Sequence, residues 1–240
     1  AVSANRIKKA KKLYKDNYSL LKKIEKYYKV QPRFIVALWG IETDFGRYTG
    51  SFKVIPSLLT LIYDGRRAKY FEKEFFYALD IIKGGHVSMN RMYGSWAGAM
   101  GQSQFMPSSY LSYAVDYNND NKIDIWNTEA DVFASIANYL NKHGWNKNQP
   151  WSMEVASNKK YDIDMKKKYK LAQLNNLNLF NNENKMFLES SSAKIKVINN
   201  NREEKLFFVF ENFYIIKKYI TLISMLLLWV NLQISLVENK

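Results

Sequence analysis

Apolar side chains recur at helical spacing in a segment that begins at Pro32. Phe34, Leu38, Ile41 and Phe45 follow one another at intervals of four, three and four residues. Such intervals place side chains on one face of an α-helix, and proline suits the first turn because its φ is preset and it leaves no N–H without a partner. The pattern therefore predicts a short helix from Pro32 with one face in the core.

The preceding segment, residues 1–31, has a second helical pattern. Lysines occupy one side of it, and the apolar residues on the other are Leu13, Leu20, Leu21, Ile24 and Tyr27. We expect one basic amphipathic helix that packs on the core. The sequence begins without a methionine or an apolar signal region, which we interpret as a processed form or a fragment without its targeting segment.

The pattern weakens to Lys/Asn-rich runs with short apolar alternations between residues 151 and 205. The clearest alternation covers residues 193–198, and a period of two is typical of a strand. The alternation therefore predicts β-structure within residues 151–205.

Composition and charge narrow the class of protein. The chain has 240 residues, 47% hydrophobic content and a net charge of +14, so it can bury one sizeable core and a smaller satellite. The positive charge suits nucleic acid, anionic lipid or another acidic polymer, but no nucleic-acid-binding motif accompanies it. Cysteine is absent, which excludes disulfides and thiolate metal sites. His86 and His143 are too few for a histidine-based zinc site.

Glu42 is the candidate for acid–base chemistry. It follows Ile41 at the edge of the apolar face, between Trp39 and Phe45. Loss of water there disfavours the charged carboxylate and raises its pKa, so that the group can hold a proton near neutral pH. Periodicity alone also allows a surface glutamate on an amphipathic helix, which is the commoner case.

A second candidate site is the segment 94–110, which is dense in small residues. Glycines let the backbone approach a ligand closely, and this segment also supplies neutral hydrogen-bonding groups of the kind that bind sugar hydroxyls and acetamides: Ser95, Gln102, Ser103 and Gln104. The alternative is a tight loop that packs against a helix.

A third candidate is a calcium loop that begins at Asp116. Oxygen-bearing side chains alternate at Asp116, Asn118 and Asp120, and Lys122 would add its backbone carbonyl, as at the start of an EF-hand loop. A turn-capable Asn121 stands where a glycine is common. The twelfth position is Asn127 in place of a bidentate glutamate, so Glu129 or Asp131 would have to close the site. The alternative is an Asn/Asp-rich turn without metal.

Several motifs in order carry a family resemblance. They are Gly-Ile-Glu-Thr at 40–43, Phe-Gly-Arg at 45–47, Arg-Arg-Ala-Lys-Tyr-Phe at 66–71, Ser-Trp-Ala-Gly-Ala-Met-Gly at 95–101, Gln-Phe-Met-Pro-Ser-Ser-Tyr at 104–110, Ala-Asn-Tyr at 137–139 and His-Gly-Trp at 143–145. Together with the stretch 210–219, they resemble the lytic murein transglycosylase B family.

The resemblance implies a mainly α (α+β) fold: a lysozyme-like helical catalytic core over residues 32–150 with an EF-hand-like loop at 116–131 closed by Asp131, a small variable β-containing insertion over 151–205, and a return of the chain to the core over 206–219. It implies an enzyme that cleaves the β-1,4 bond between N-acetylmuramic acid and N-acetylglucosamine in peptidoglycan and leaves 1,6-anhydromuramic acid ends. Glu42 would act first as acid and then as base. Ser95, Gln104 and Tyr219 match sugar-contacting positions, and Phe105 with Met106 would form an apolar wall.

Further expectations follow from the resemblance. The partners are peptidoglycan glycan strands and not nucleic acid, the protein is a monomer in the periplasm, and the full-length precursor is associated with a membrane. No cofactor is required for the chemistry, and Ca²⁺ has a structural role. The alternative is a catalytically impaired peptidoglycan-binding relative with the same fold.

The resemblance stops abruptly after Tyr219. Residues 220–240 are nearly uncharged at their start and strongly apolar, and Ile220 stands where the family has a cleft asparagine. We interpret this tail as the product of a reading-frame shift. A membrane anchor and a buried helix are the two alternatives.

Overall fold

The computed structural model describes residues 3–157, 168–170, 179–180, 192–200 and 203–220. These residues fall into two compact units, one that ends at His143 and one that begins at Gly144. The predicted tail over 221–240 lies outside the described residues.

The first unit is built from helices. They are α1 (Ala4–Asp16), α2 (Tyr18–Tyr28), α3 (Pro32–Thr43), α4 (Val54–Tyr63), α5 (Ala68–Lys83), α6 (Pro107–Tyr113) and α7 (Glu129–Lys142). A short 3-10 helix covers Met89–Arg91, and β1 (Phe52–Lys53) pairs antiparallel with β2 (Tyr93–Gly94). This composition confirms the prediction of a mainly α core.

Helix α3 begins at Pro32, as its sequence predicts, but its burial extends well beyond one face. Ten of its twelve residues are buried, because α1, α2 and α7 all pack against it. The Trp39 ring contacts the rings of Phe45 and Phe133 edge-on, at centroid distances of 5.5 and 4.9 Å. Helix α3 is therefore the central element of this unit.

The single helix expected over residues 1–31 is instead two helices that break at Asn17. The Asn17 side chain donates a hydrogen bond to the Leu13 carbonyl, which terminates α1. Helix α1 packs on α3, whereas α2 packs mainly on α7. The break at Asn17 thus separates two helices with different main neighbours. Leu21 and Ile24 are fully buried, but Tyr27 is 74% exposed.

A buried glutamate joins α5 to α6. Glu74 is 3% exposed, and its carboxylate accepts hydrogen bonds from the Ser108 backbone N–H at 2.9 Å and the Ser108 hydroxyl at 2.7 Å. A carboxylate at the N-terminus of a helix satisfies donors that have no partner within the helix. This contact fixes the end of the segment that contains Ser95 and Gln104.

Among its described residues, the second unit contains a five-stranded antiparallel sheet and one helix. Its elements are β3 (Ser152–Ser157), β4 (Lys168–Lys170), β5 (Leu179–Phe180), β6 (Ser192–Asn200), β7 (Glu203–Val209) and α8 (Glu211–Tyr219). The strand order is β4-β6-β7-β3-β5, and Phe208 lies opposite both Met153 and Ile195. Strand β6 confirms the strand predicted over 193–198, and β7 runs across the boundary expected at 205/206.

The two alternatives for the end of the chain were a buried helix and a membrane anchor, and most of this tail lies outside the described residues. Ile220 caps α8 and is 1% exposed. Within the ranges that the structure describes, no helix combines the length and the apolar character of a membrane span.

Candidate functional site

Glu42 is the penultimate residue of α3 and lines a cavity of about 490 Å³. The cavity belongs to the first unit, and its other lining residues are Ser3, Asn5, Arg6, Lys9, Ile41, Thr43, Asp44, Arg47 and Tyr48. Its mouth is open to solvent. A ligand could therefore reach the Glu42 carboxyl group without any rearrangement of the helices.

Burial raises the pKa of Glu42 to about 8. The side chain keeps some exposed surface in the cavity, but protein surrounds it on most sides and removes the water that would stabilise the charge. No described residue donates a hydrogen bond to this carboxyl group, and burial is the only cause of the shift. Glu42 is thus protonated at neutral pH and can donate a proton, in the direction that the sequence predicted.

Asp44 is the nearest carboxylate along the chain, and two cations of α1 hold it. Arg6 lies 3.3 Å from one carboxylate oxygen, and Lys9 lies 3.3 Å from the other. Lys9 also donates to the Asp44 carbonyl at 2.8 Å, and Arg6 donates to the Gly40 carbonyl. Cations at a helix C-terminus stabilise its carbonyls. The role of Asp44 is therefore structural.

The chain turns sharply after α3. Asp44, Phe45 and Gly46 all have positive φ, of 50°, 61° and 78°. The Thr43 hydroxyl oxygen accepts a hydrogen bond from the Gly46 N–H at 3.0 Å. Left-handed backbone is costly for a residue with a Cβ, so the contacts of Asp44 with α1 and of Thr43 with Gly46 hold this turn in place.

Segment 94–107 lies against this turn. The Gln104 side chain donates to the Thr49 carbonyl at 3.1 Å and to the Gly101 carbonyl at 2.8 Å. The Ser95 hydroxyl accepts a hydrogen bond from the Ala99 N–H at 3.1 Å. Both side chains are partly exposed. The structure thus places the segment that carries Ser95 and Gln104 beside the chain that follows α3, but neither side chain lines the cavity at Glu42.

The other predicted sugar contacts differ in their surroundings. Phe105 is 3% exposed, and its ring packs 5.8 Å from the Tyr139 ring, so it presents almost no surface to a ligand. Met106 is partly exposed at the start of α6. Gln102 is 8% exposed and Ser103 fully buried. Tyr219 is the last residue of α8, in the second unit.

The predicted calcium loop connects α6 to α7. Asn119 and Asn121 both have positive φ, of 60° and 67°, which confirms Asn121 as a turn residue. The Asp116 carboxylate accepts hydrogen bonds from the N–H groups of Asp120 and Asn121, at 3.2 and 2.8 Å. The Asp120 carboxylate accepts one from the Lys122 N–H at 2.9 Å.

Asp131 joins the two ends of this loop. It is fully buried, and its two oxygens accept hydrogen bonds from the N–H groups of Tyr117 and Asp124, both at 2.8 Å. The candidate metal ligands of this loop are all oxygen atoms, which suits a hard cation such as Ca²⁺. The carboxylates of Asp116, Asp120 and Asp131 nevertheless accept hydrogen bonds from backbone N–H groups. Among the described residues, no three acidic, histidine or cysteine side chains lie close enough together to hold a metal ion.

The sequence did not identify the basic and aromatic residues that surround Glu42. Arg6 and Lys9 lie three residues apart on α1, hence on one face, but nothing in a lysine-rich helix distinguishes them from the other cations. Arg47 lies over the Tyr48 ring at 5.0 Å. Arg47 is part of the Phe-Gly-Arg motif. That motif could have indicated a basic residue close to Glu42.

Comparison with solved structures shows close similarity. SltB3 of Pseudomonas aeruginosa, solved in complex with NAG-anhNAM-pentapeptide, has a TM-score of 0.90 and 32% identity, over 98% of this chain and 64% of its own. Slt35 of Escherichia coli in complex with bulgecin A has a TM-score of 0.87 and 27% identity, over 98% and 75%. A Slt35 structure in complex with calcium has a TM-score of 0.86. These matches confirm the lysozyme-like helical core.

Sequence comparison agrees with the structural matches. The membrane-bound lytic murein transglycosylase B of Escherichia coli (strain K12) is 42% identical over 119 residues, which are 49% of this chain and 33% of that protein. The aligned region thus spans about a third of that relative. The family described as "Transglycosylase SLT domain" matches residues 1–221. Because this match covers most of the sequence, the chain belongs to the transglycosylase SLT domain family.

Proposed function

We propose that this chain is a lytic transglycosylase that cleaves the β-1,4 bond between N-acetylmuramic acid and N-acetylglucosamine in peptidoglycan. The observation that carries the proposal is the Glu42 carboxyl group, which is protonated at neutral pH and lines an open cavity without a second free carboxylate beside it. Two-carboxylate glycosidases need a nucleophile or base in addition to the acid. A single glutamate suffices if the substrate provides the nucleophile.

The reaction has two steps. In the first, Glu42 donates its proton to the glycosidic oxygen as the bond from that oxygen to C1 of muramic acid breaks. In the second, the Glu42 carboxylate accepts the proton of the C6 hydroxyl as O6 bonds to C1. The products are a free 4-hydroxyl on N-acetylglucosamine and a 1,6-anhydromuramic acid end, and Glu42 is protonated again.

The environment of Glu42 suits both steps. Burial without a charged partner disfavours the carboxylate, so the acid remains protonated at neutral pH. The same burial makes the carboxylate formed in the first step a stronger base than an exposed glutamate. Asp44 is not a second free carboxylate beside Glu42, because its two oxygens pair with Arg6 and Lys9.

Contacts to the sugar come from segment 94–107. Ser95 and Gln104 bind hydroxyl or acetamide groups, Met106 provides apolar surface, and Phe105 supports it from the core. The family resemblance is the only support for Tyr219 as a further sugar contact. The complexes of SltB3 with NAG-anhNAM-pentapeptide and NAG-NAM-pentapeptide support a peptidoglycan ligand. The enzyme would act in the periplasm, as a monomer, and the description of the Escherichia coli relative as membrane-bound supports an association of the full-length protein with a membrane.

We also assign a structural Ca²⁺ to the loop between α6 and α7. Asp116, Asn118, Asp120, the Lys122 carbonyl and Asp131 would provide its oxygen ligands, with Glu129 as the alternative to Asp131. The calcium complex of Slt35 supports this assignment. The ion would stabilise the loop and take no part in bond cleavage, because the Glu42 reaction requires no metal.

The experiment that tests the proposal is digestion of purified sacculi with mass spectrometry of the released muropeptides. We expect 1,6-anhydromuropeptides from the parent protein and a loss of about 10²- to 10⁴-fold in Glu42→Gln, which cannot transfer the proton. Glu72→Gln, an exposed glutamate on α5, is the matched control and should retain full activity.

Two outcomes would overturn this proposal. Muropeptides with reducing-end muramic acid in place of the anhydro sugar would show a hydrolase. Binding to sacculi without any release would show a peptidoglycan-binding relative that has lost turnover. Ile220, which stands where the family has a cleft asparagine, is the reason for considering this alternative.

A further inference from the structure

Gln102 lies between the helix that carries Glu42 and the loop that begins at Asp116. Its side chain is 8% exposed. Its Oε1 accepts a hydrogen bond from the Trp39 Nε1–H at 2.7 Å, and its Nε2 donates to the Trp126 carbonyl at 2.8 Å. Both ends of the side-chain amide therefore have partners, one on α3 and one on the loop.

The backbone of Gln102 repeats this connection. Its N–H donates to the Ile125 carbonyl at 2.8 Å, and its carbonyl oxygen accepts from the Thr43 hydroxyl at 3.1 Å. Four hydrogen bonds thus converge on one residue, two from α3 and two from residues 125–126. Trp39 is three positions before Glu42 and Thr43 is one position after it, so Gln102 holds the helix on both sides of the glutamate.

The side chain of Gln102 also packs against the turn that follows α3. A Cβ placed on Gly46 would lie 2.4 Å from the Gln102 Oε1. No larger residue fits at position 46 unless this amide moves. The turn, the end of α3 and the amide group therefore form one closely packed arrangement.

Glu42 needs an indirect support of this kind. Within the described structure its carboxyl group has no hydrogen-bond donor or ion-pair partner, and burial is the cause of its raised pKa. Its location is therefore set by the helix backbone and not by contacts of its own. A reacting group must be held closely to its productive geometry, and small displacements reduce the rate strongly.

We propose that Gln102 is a positioning residue for Glu42 and that it connects the end of α3 to the loop at residues 125–126. The proposal rests on the function proposed for Glu42. It differs from a role in sugar binding, which the sequence had suggested for Gln102, because the amide is buried and bonded to Trp39 and Trp126.

The test compares Gln102→Met with Ser135→Ala. Methionine is similar in length to glutamine but leaves the Trp39 N–H and the Trp126 carbonyl without partners. Ser135 is also buried and accepts a hydrogen bond from the Val115 N–H at 3.0 Å, so its loss removes one buried bond at the base of the same loop without any contact with Gln102. Thermal unfolding gives the stability of each variant.

We expect kcat of Gln102→Met on purified glycan strands to fall about ten-fold or more, because a lost buried hydrogen bond corresponds to roughly this factor. KM should stay within about two-fold, since Ser95 and Met106 are unchanged. Ser135→Ala should keep kcat and KM within about two-fold at a comparable loss of stability. Wild-type kcat in Gln102→Met, or an equal loss of kcat in Ser135→Ala, would overturn the proposal.

A second measurement does not depend on turnover. In Gln102→Met the indole N–H resonance of Trp39 should shift and the backbone amide of Glu42 should exchange with solvent faster, whereas Ser135→Ala should leave both unchanged. An unchanged exchange rate at Glu42 would overturn the positioning role even in a protein without transglycosylase activity. A different result is a parent protein that releases no anhydro product while Gln102→Met still shows both spectroscopic changes. In that case the proposed function would fail, and the connection of α3 to the loop through Gln102 would stand.

Gln102→Glu serves if the methionine variant does not fold. It retains an acceptor for the Trp39 N–H, and in its ionised form it has no donor for the Trp126 carbonyl. We expect a several-fold lower kcat with unchanged KM, and wild-type kcat in this variant would overturn the connection to the loop.

Discussion

Arg6 lies 3.3 Å from Asp44, and this ion pair joins α1 to the residue that ends α3 two positions after Glu42. The two side chains are 24% and 21% exposed, so solvent screens the pair less than it would on an open surface. Lys9 pairs with the same carboxylate and lies 5.1 Å from the centroid of the Phe45 ring. Residues near the start of the chain thus determine how the helix of the proposed catalytic acid ends.

The first prediction concerns this ion pair. Asp44→Asn removes the charge, and asparagine tolerates the left-handed backbone at this position, so the turn itself should persist. We expect the free energy of unfolding to fall by about 1 kcal/mol, measured by urea denaturation. Asp16→Asn is the control, because its pair with Lys12 is solvent-exposed on one helix and should contribute little. Equal losses of unfolding free energy in the two variants would show that the α1–α3 ion pair contributes no more to stability than an exposed pair.

The second prediction concerns the contact of Gly46 with Gln102. Gly46 and Gly65 have similar positive φ, of 78° and 82°, but a Cβ on Gly65 meets no atom within 4 Å. Gly65→Ala should therefore cost about 1 kcal/mol for its left-handed backbone alone. Gly46→Ala should cost at least ~1 kcal/mol more, because the Cβ displaces the buried amide. Similar melting temperatures for the two variants would contradict the close packing at Gly46.

The third prediction concerns pH. The folded-state pKa of Glu42, about 8, is above the ordinary value of 4.5. Between these values the folded protein binds more protons than the unfolded chain, so this group's contribution to stability is complete at low pH and is lost as pH rises through about 8. Glu42→Gln removes that dependence.

We therefore expect the melting temperature of Glu42→Gln, relative to the parent protein, to rise between about pH 5 and pH 8.5. Ser135→Ala, which removes a buried side chain but no titratable group, should show no such change. A constant difference between Glu42→Gln and the parent protein across this range would mean that the Glu42 pKa is not raised.

The fourth prediction concerns calcium. If the loop between α6 and α7 binds the ion, Ca²⁺ should stabilise the folded state by about 2.7 kcal/mol at a concentration one hundred times Kd. Replacement of both Asp116 and Asp120 by asparagine should abolish this rise in melting temperature while basal activity remains.

The control for calcium is Asp64→Asn, an exposed aspartate after α4, which should leave the calcium response unchanged. A full response in the double variant would place the ion elsewhere, and no response in the parent protein would make the loop an ordinary Asn/Asp-rich turn.

Local sequence determined the features that depend on neighbouring residues along the chain. The spacing of apolar residues after Pro32 predicted α3, the alternation over 193–198 predicted β6, and Asn121 has the left-handed backbone expected of a turn residue. The position of Glu42 beside this apolar pattern also predicted the direction of its pKa shift. Periodicity and backbone preference act over a few residues, so they can be read without a structure.

Only the tertiary structure decided which residues surround Glu42. Periodicity assigned one face of α3 to the core, but packing against α1, α2 and α7 leaves ten of its twelve residues buried. Gln102 suggested a sugar contact, whereas Trp39, 63 positions away, and Trp126 occupy its amide. Arg6 reaches the end of α3 across 34 positions. Such partners depend on how distant elements pack, because hydrogen bonds and ion pairs require proximity in space and leave no periodic signal in the sequence.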